Sequence, residues 1–322
     1  MKIGFTYNLR SKEKPDKNSP EDYYGEYESD ETIEGITEAL EKLGHEVIRI
    51  GDITSLVKFL AEGQRVDLVF NMAEGRYGRA RESQVPSILE AYQIPYTFSD
   101  PLTLAICLDK GLTKDILNTA KIPTPAHQIL VPNASIETTL PFPLFVKPLY
   151  EGASKGINEN AIIHTEKELT KRTKWLWKNY KQSVLLEKCL SGREFTVGIL
   201  GTGKNAHAIG AMEIILKENR KVYDFHVKEN YEELTSYSFD IKSPLKEKLL
   251  NIALKSWQAL QCRDGGRVDI RLDEDGNPHV LEINTLPGLH HIHSDLPIIA
   301  RSIGMSFTEL LDEILTHAIK RV

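Results

Sequence analysis

A chain of 322 residues with 41% hydrophobic and 27% charged side chains is long enough for two or three domains, and this balance excludes a low-complexity, collagen-like or disulfide-stapled protein. Its 46 acidic and 40 basic residues leave a formal charge of -6 with the signs interleaved, which argues against a nucleic-acid partner. Cys107, Cys189 and Cys262 form no CxxC pair, no apolar run approaches the ~20 residues of a membrane span, and the opening Met1-Lys2-Ile3-Gly4-Phe5-Thr6-Tyr7 is too short and polar for a signal peptide. A cytoplasmic protein without membrane contact is expected.

Residues 2–7 read as a first strand. Residues 30–43 carry Ile33, Ile36, Leu40 and Leu43 at helical spacing, stopped by Gly44 before a second strand over 46–50. A helix over 53–62 and the apolar run Asp67-Leu68-Val69-Phe70 follow, the latter suited to a buried parallel strand. This alternation predicts a doubly wound α/β domain over residues 1–100. The aperiodic, charged stretch 10–29 becomes a long loop at the carboxyl end of the first strand, where such domains place ligands. A helix over 109–120 carries Lys110 and Lys114 before Pro123 and Pro125 break the chain. Residues 143–148 form a strand that delivers Lys147 to its end, ahead of the loop Glu151-Gly152-Ala153-Ser154-Lys155-Gly156. Next come a helix over 166–180, strands over 183–187 and 194–200, and a polar stretch over 217–238 without a settled period. A helix over 245–260, a hairpin over 267–283 and a helix over 306–320 close the chain, so its C-terminal part reads as α+β.

The hairpin carries the most specific chemistry. Arg267-Val268-Asp269-Ile270-Arg271-Leu272 and His279-Val280-Leu281-Glu282-Ile283-Asn284 both alternate polar and apolar residues. Pairing Leu272 with His279 sets Asp269 across from Glu282 and Arg267 across from Asn284. Val268, Ile270, Leu281 and Ile283 then face a core. Two carboxylates and an amide oxygen held together repel unless a hard cation joins them, and an all-oxygen set suits Mg²⁺. The glycine loop alone fits a surface turn equally well, being neither a Walker A sequence nor a Rossmann fingerprint. With Lys147 before it, Glu187-Lys188 after another apolar strand and the hairpin beyond, it completes a nucleotide-and-metal constellation.

These stretches resemble the ATP-grasp ligases, and within them the D-alanine–D-alanine ligase family. The resemblance rests on Asp109-Lys110; Phe145-Val146-Lys147-Pro148 with the glycine loop; Leu186-Glu187-Lys188 with Ser191-Gly192-Arg193-Glu194-Phe195-Thr196-Val197; and Arg267-Val268-Asp269 through Glu282-Ile283-Asn284-Thr285-Leu286-Pro287-Gly288. It implies an ATP-grasp fold in three units: an N-terminal α/β domain (1–100), a central subdomain with the glycine loop (101–186) and a C-terminal subdomain with the metal hairpin (187–322).

The resemblance further implies an ATP-dependent carboxylate-amine ligase that joins two small-molecule amino acids through an acyl phosphate. Lys110 and Lys147 would bind phosphates, and Gly152, Ser154, Lys155 and Gly156 would form a lid over them. Glu187, Lys188 and Leu190 would hold adenine, with Glu194 at the ribose. Asp269, Glu282 and Asn284 would ligate two Mg²⁺, or Mn²⁺ in their place. Arg267, Lys228 and Ser154 take the catalytic positions: Arg267 at the tetrahedral intermediate, Lys228 at the transferred phosphate. Gly288 and Ser294 fall on the acceptor side, and a homodimer through the N-terminal domain fits the family habit.

The departures gather in the amino-acid site. The family's Gly-Gly-x-Ser-x-Glu segment is absent, leaving Glu26 or Glu28 to bind the first ammonium. Ala153 replaces a serine, Glu229 replaces a tyrosine and Glu74 stands at a histidine position. Such carboxylates suit a cationic or larger substrate than D-alanine. Two alternatives stand beside D-alanine–D-alanine joining: a ligase for another amino-acid or amine pair, and a nucleotide-binding sensor without catalysis.

Overall fold

A computed structural model describes residues 1–12, 19–217, 222, 224, 227 and 230–321. Parallel strands β1 (Lys2–Tyr7), β2 (Glu46–Gly51) and β3 (Leu68–Met72) lie in the order β2-β1-β3. The helix Asp30–Lys42 starts where the Ser29 side chain accepts the Thr32 N–H. It buries Ile33, Ile36 and Leu40 against Ile3, Phe5 and Phe70. The helix Ile53–Ala61 packs Leu56 and Leu60 with Val69 in a separate core, so the sheet is covered on both faces. Chain segments after β1 and β3 therefore converge at one edge of this sheet, the usual ligand edge of such a fold.

The second sheet holds β4 (His127–Leu130), β5 (Leu144–Pro148), β6 (Ile162–Ile163) and β7 (Val184–Lys188) in the order β4-β7-β5-β6, backed by the helix Glu166–Tyr180. The third holds β8 (Glu194–Leu200), β9 (His207–Leu216), β10 (Thr235–Ser238), β11 (Gly265–Leu272) and β12 (Pro278–Asn284) in the order β10-β9-β8-β11-β12. The helix Leu245–Ala259 packs Trp257 beneath it. The closing helix Phe307–Ile319, begun by a Ser306–Glu309 capping box, returns to the N-terminal core through Leu310, Leu311 and Ile314. The expected division at 186/187 falls inside β7.

β4, β9 and the helix Asp295–Ser302 are additions to the sequence reading. β9 is weakly signalled because Ala208, Gly210 and Ala211 replace the β-branched residues that mark strands. The packing is close there: a Cβ on Gly210 would lie 3.0 Å from Ile299 of the helix packed on it, so that side chain would have to shift.

The hairpin register holds at its far end and slips near its turn. Asp269 pairs with Glu282 and Arg267 with Asn284 as expected, but Leu272 pairs with Pro278 and not His279, because the ladder shifts between Asp269 and Ile270. This bulge leaves Leu281 as the extra residue. Leu281 consequently lines the cleft beside Glu282, while Val280, Val268 and Ile270 fill the core expected to contain it.

Candidate active site

Lys147 near the end of β5 and Lys114 on the helix Lys110–Thr119 converge on Glu187 of β7, with Nζ to carboxylate distances of 2.9 and 2.5 Å. Lys114 is fully buried and also donates to Thr124 Oγ1 (3.0 Å) and the Leu281 carbonyl (3.1 Å). Burial pushes the Glu187 carboxyl up, yet the two ammonium groups outweigh it and hold it at about 2. Burial wins at Lys114, whose ammonium is weakened, whereas at Lys147 the carboxylates of Glu187 and Glu282 outweigh burial and strengthen it. Thus the Glu187 side chain lies between two lysines. Phe145, Leu190, Ile214 and Leu281 give the same cleft its apolar lining. Lys188 pairs at the surface with Glu274 (2.7 Å), and Glu194 with Arg271 (3.2 Å).

Lys110 begins its helix where Asp109 caps the Gly111 and Leu112 N–H groups. Its ammonium donates to the Glu151 carbonyl and approaches Glu282 to 3.5 Å. The hairpin side chains complete the cluster. Arg267 reaches both Asp269 oxygens at 2.5 and 2.6 Å and Asp295 at 3.4 Å, while the Asn284 amide contacts Asp269 at 2.9 Å. Burial and Glu282 push the Asp269 carboxyl up despite Arg267; burial raises Glu282 too, but Lys110, Lys147 and Arg267 bring it to about 2. Crowded carboxylates fit a hard divalent cation, and the Asn284 amide, whose Nδ2 donates to Asp269 here, would turn its oxygen toward one. Lys110 and Arg267 carry the neutralising charge at this place in the structure.

The glycine loop folds over this cluster. Ala153 (φ 48°) and Ser154 (φ 58°) are both left-handed, as is Gly156 (φ 72°). A Cβ on Gly156 would lie 2.5 Å from Pro148 and 3.1 Å from the Tyr180 ring, so glycine is needed there for conformation and space alike. Lys155 pairs with Glu151 and, at 3.2 Å, with Glu26, which also accepts the Gly152 N–H (2.6 Å) and Arg81 (2.6 Å). Burial pushes the Glu26 carboxyl up, and Arg81, Lys155 and Gly152 overcome it, leaving it at about 2.

The chain has relatives among known proteins. The family model described as D-ala D-ala ligase C-terminus matches residues 122–316. The D-alanine–D-alanine ligase of Aquifex aeolicus is 34% identical over 287 residues, covering 88% of this chain and 94% of that protein. The chain belongs to the D-alanine–D-alanine ligase family. Its Bordetella petrii member is 34% identical over 261 residues, 80% of this chain and 77% of that one. The crystal structure of the Bacillus anthracis D-alanine–D-alanine ligase complexed with ATP superposes with a TM-score of 0.76 at 25% identity, covering 99% and 98% of the two chains.

A second pocket adjoins this cleft. It is continuous with the cleft through Lys110, Gly152, Arg267 and Glu282, and Glu26, Glu28, Glu74 and Glu82 share its walls. Burial raises Glu74 well above the ordinary range, and Glu82, with which it shares a hydrogen bond, to about 7, with Glu26 contributing at both and Arg81 opposing. Glu82 and Arg81 were not singled out in the sequence; their only signal was the Arg-Ala-Arg-Glu run after β3. On the opposite wall, Ser294 Oγ accepts the His290 N–H (2.9 Å), and a Cβ on Gly288 would lie 3.1 Å from that oxygen. His290 and His293 line this wall with stacked rings. Lys228 and Glu229 lie outside the described residues. Among the described residues no helix is long and apolar enough to cross a membrane.

Proposed function

We propose that this ATP-grasp ligase activates the carboxylate of one amino acid as an acyl phosphate and joins it to the amine of a second. The observation that carries the reading is the convergence of Lys110, Lys147, Asp269, Glu282 and Arg267 on one cleft that opens into a carboxylate-lined pocket. A carboxylate oxygen attacks the γ-phosphorus of ATP and ADP departs, with Lys110 and Lys147 beside the phosphates to offset their charge. The amine nitrogen then attacks the acyl carbon, Arg267 stabilises the resulting oxyanion, and phosphate leaves with the former carboxylate oxygen. Asp269, Glu282 and the Asn284 oxygen would hold Mg²⁺, or Mn²⁺, which when bound neutralises phosphate charge. The glycine loop excludes water that would hydrolyse the acyl phosphate. Ser294, with Gly288 beside it, is placed for the acceptor carboxylate. The same reading puts the protein in the cytoplasm.

The substrate differs from D-alanine in this proposal. Glu74 and Glu82 crowd together with Glu28 nearby and Glu26 already neutralised, so a basic side chain replaces their shared proton. Phosphate release is expected to respond more strongly to basic D- or L-amino acids than to D-alanine; preference for D-alanine alone would overturn the substrate class. Displacing that proton has a pH signature. Burial and Glu26 push Glu82 up to about 7 against Arg81 and Lys110, and Glu74 is raised beside it, so binding a basic amino acid near neutral pH is expected to release protons. Calorimetry in buffers of different ionisation enthalpy measures this directly.

A further inference from the structure

The glycine loop is shut in this structure, and its closure is not its own doing. The cleft beneath it has a volume of about 110 Å³, below the roughly 300 Å³ at which ligand pockets begin, so a nucleotide requires the loop to move. The backbone opposes the shut form, since L-residues disfavour the left-handed region occupied by Ala153 and Ser154. What holds it comes from a distant part of the chain. Consecutive turns over residues 20–27 place Asp22 and Glu26 one helical turn apart, supported by packing among Tyr23, Tyr24 and Tyr27.

Asp22 Oδ2 accepts both the Gly156 N–H (2.6 Å) and the Tyr180 hydroxyl (2.7 Å), and Glu26 takes the Gly152 N–H at the other end of the loop. Arg172 grips the Gly156 carbonyl from the opposite side. Two carboxylates thus occupy backbone donors of a phosphate-binding loop, which is what an anionic ligand would do there. Asp22 is 7% exposed, yet its Oδ1 is buried with no partner among the described residues. A buried unpaired carboxylate oxygen costs free energy, which works against the latched form.

We propose that Asp22 and Glu26 are positioning residues that latch the phosphate loop over the cleft before nucleotide enters, and that the entering nucleotide displaces them from the Gly152 and Gly156 N–H groups. The segment that carries them also supplies Glu28 to the amino-acid pocket and joins the end of β1 through the Glu28 N–H to the Asn8 carbonyl (2.9 Å).

The inference rests on the nucleotide assignment of the cleft, and limited proteolysis tests it without requiring ligation. Trypsin cutting after Lys155, identified by fragment mass, reports the open loop. Asp22→Ala is expected to speed this cleavage about tenfold, the order of effect of losing a charge-assisted hydrogen bond. Tyr180→Phe, the milder variant, is expected to speed it less, and Asp22→Asn, which keeps an acceptor, to recover part of the wild-type protection. In turnover, Asp22→Ala is expected to lower the ATP concentration at half-maximal rate severalfold, because the carboxylate no longer competes with phosphate for the Gly156 N–H, a change that simple loss of stability does not produce. Wild-type cleavage rates in both Asp22→Ala and Tyr180→Phe would overturn the latch. A wild-type protein that releases no phosphate with any amino acid would overturn the ligase reading while leaving the cleavage result intact.

Discussion

Glu282→Gln is expected to lower phosphate release about 10²–10³-fold, the scale of removing one preorganised charge partner from a phosphoryl or acyl site. The substitution keeps volume and removes charge. Glu282 is the carboxylate held ionised at about 2, whereas Asp269 is pushed up and both its oxygens are taken by Arg267. Glu282 is therefore the ligand best able to draw a divalent cation to the phosphates. Lys110, 3.5 Å away, loses an ion-pair partner in the variant, but Lys110 also has the Glu151 carbonyl, so the melting temperature should fall little. Steady-state phosphate release across Mg²⁺ concentrations, with thermal unfolding as control, reads both. Activity within a few-fold of wild type would remove the hairpin from the metal site.

Glu187→Gln is expected to act on the fold itself. The carboxylate is 2% exposed and is the shared partner of Lys114 and Lys147. Deleting one member of such a buried group typically costs about 3–5 kcal/mol because the remaining charges have no counterpart. For a chain of this size that lowers the melting temperature by roughly 10 °C. Adding Lys114→Met removes one orphaned ammonium and should restore part of the loss; a double variant no better than the single would contradict the pairing. The pH dependence follows from the same geometry. The folded carboxyl titrates at about 2, below the usual value of 4.5, so its contribution is complete above about pH 4.5 and is lost as pH falls toward 2. Glu187→Gln should flatten the acid limb in that window.

Much of this site is legible in the sequence because it is local. The Asp269 and Glu282 pairing follows from alternation around a recognisable turn, and the structure keeps that pair in register. Leu281 escapes because a bulge cannot be read from alternation: one extra residue turns it from core to cleft. Lys147 is legible as a lysine ending an apolar strand, yet its partnership with Lys114 through Glu187 depends on how β5, β7 and the helix Lys110–Thr119 pack. The three strands of the N-terminal sheet are visible in the strand and helix periods, whereas their order β2-β1-β3 comes from the packing. The role of residues 20–29 is not, since Asp22 and Glu26 act through backbone N–H groups on a loop of another sheet. Glu82 is hidden for a similar reason, as its raised carboxyl reflects burial beside Glu74 and Glu26.

The central claim is that a substrate carboxylate is phosphorylated before the amine attacks. The direct measurement uses an amino acid labelled with ¹⁸O in both carboxylate oxygens, in unlabelled water, with mass analysis of the phosphate released. One ¹⁸O atom per phosphate is expected, carried over from the carboxylate, with one peptide bond formed for each phosphate. Phosphate free of label, with its fourth oxygen drawn from water, would contradict it.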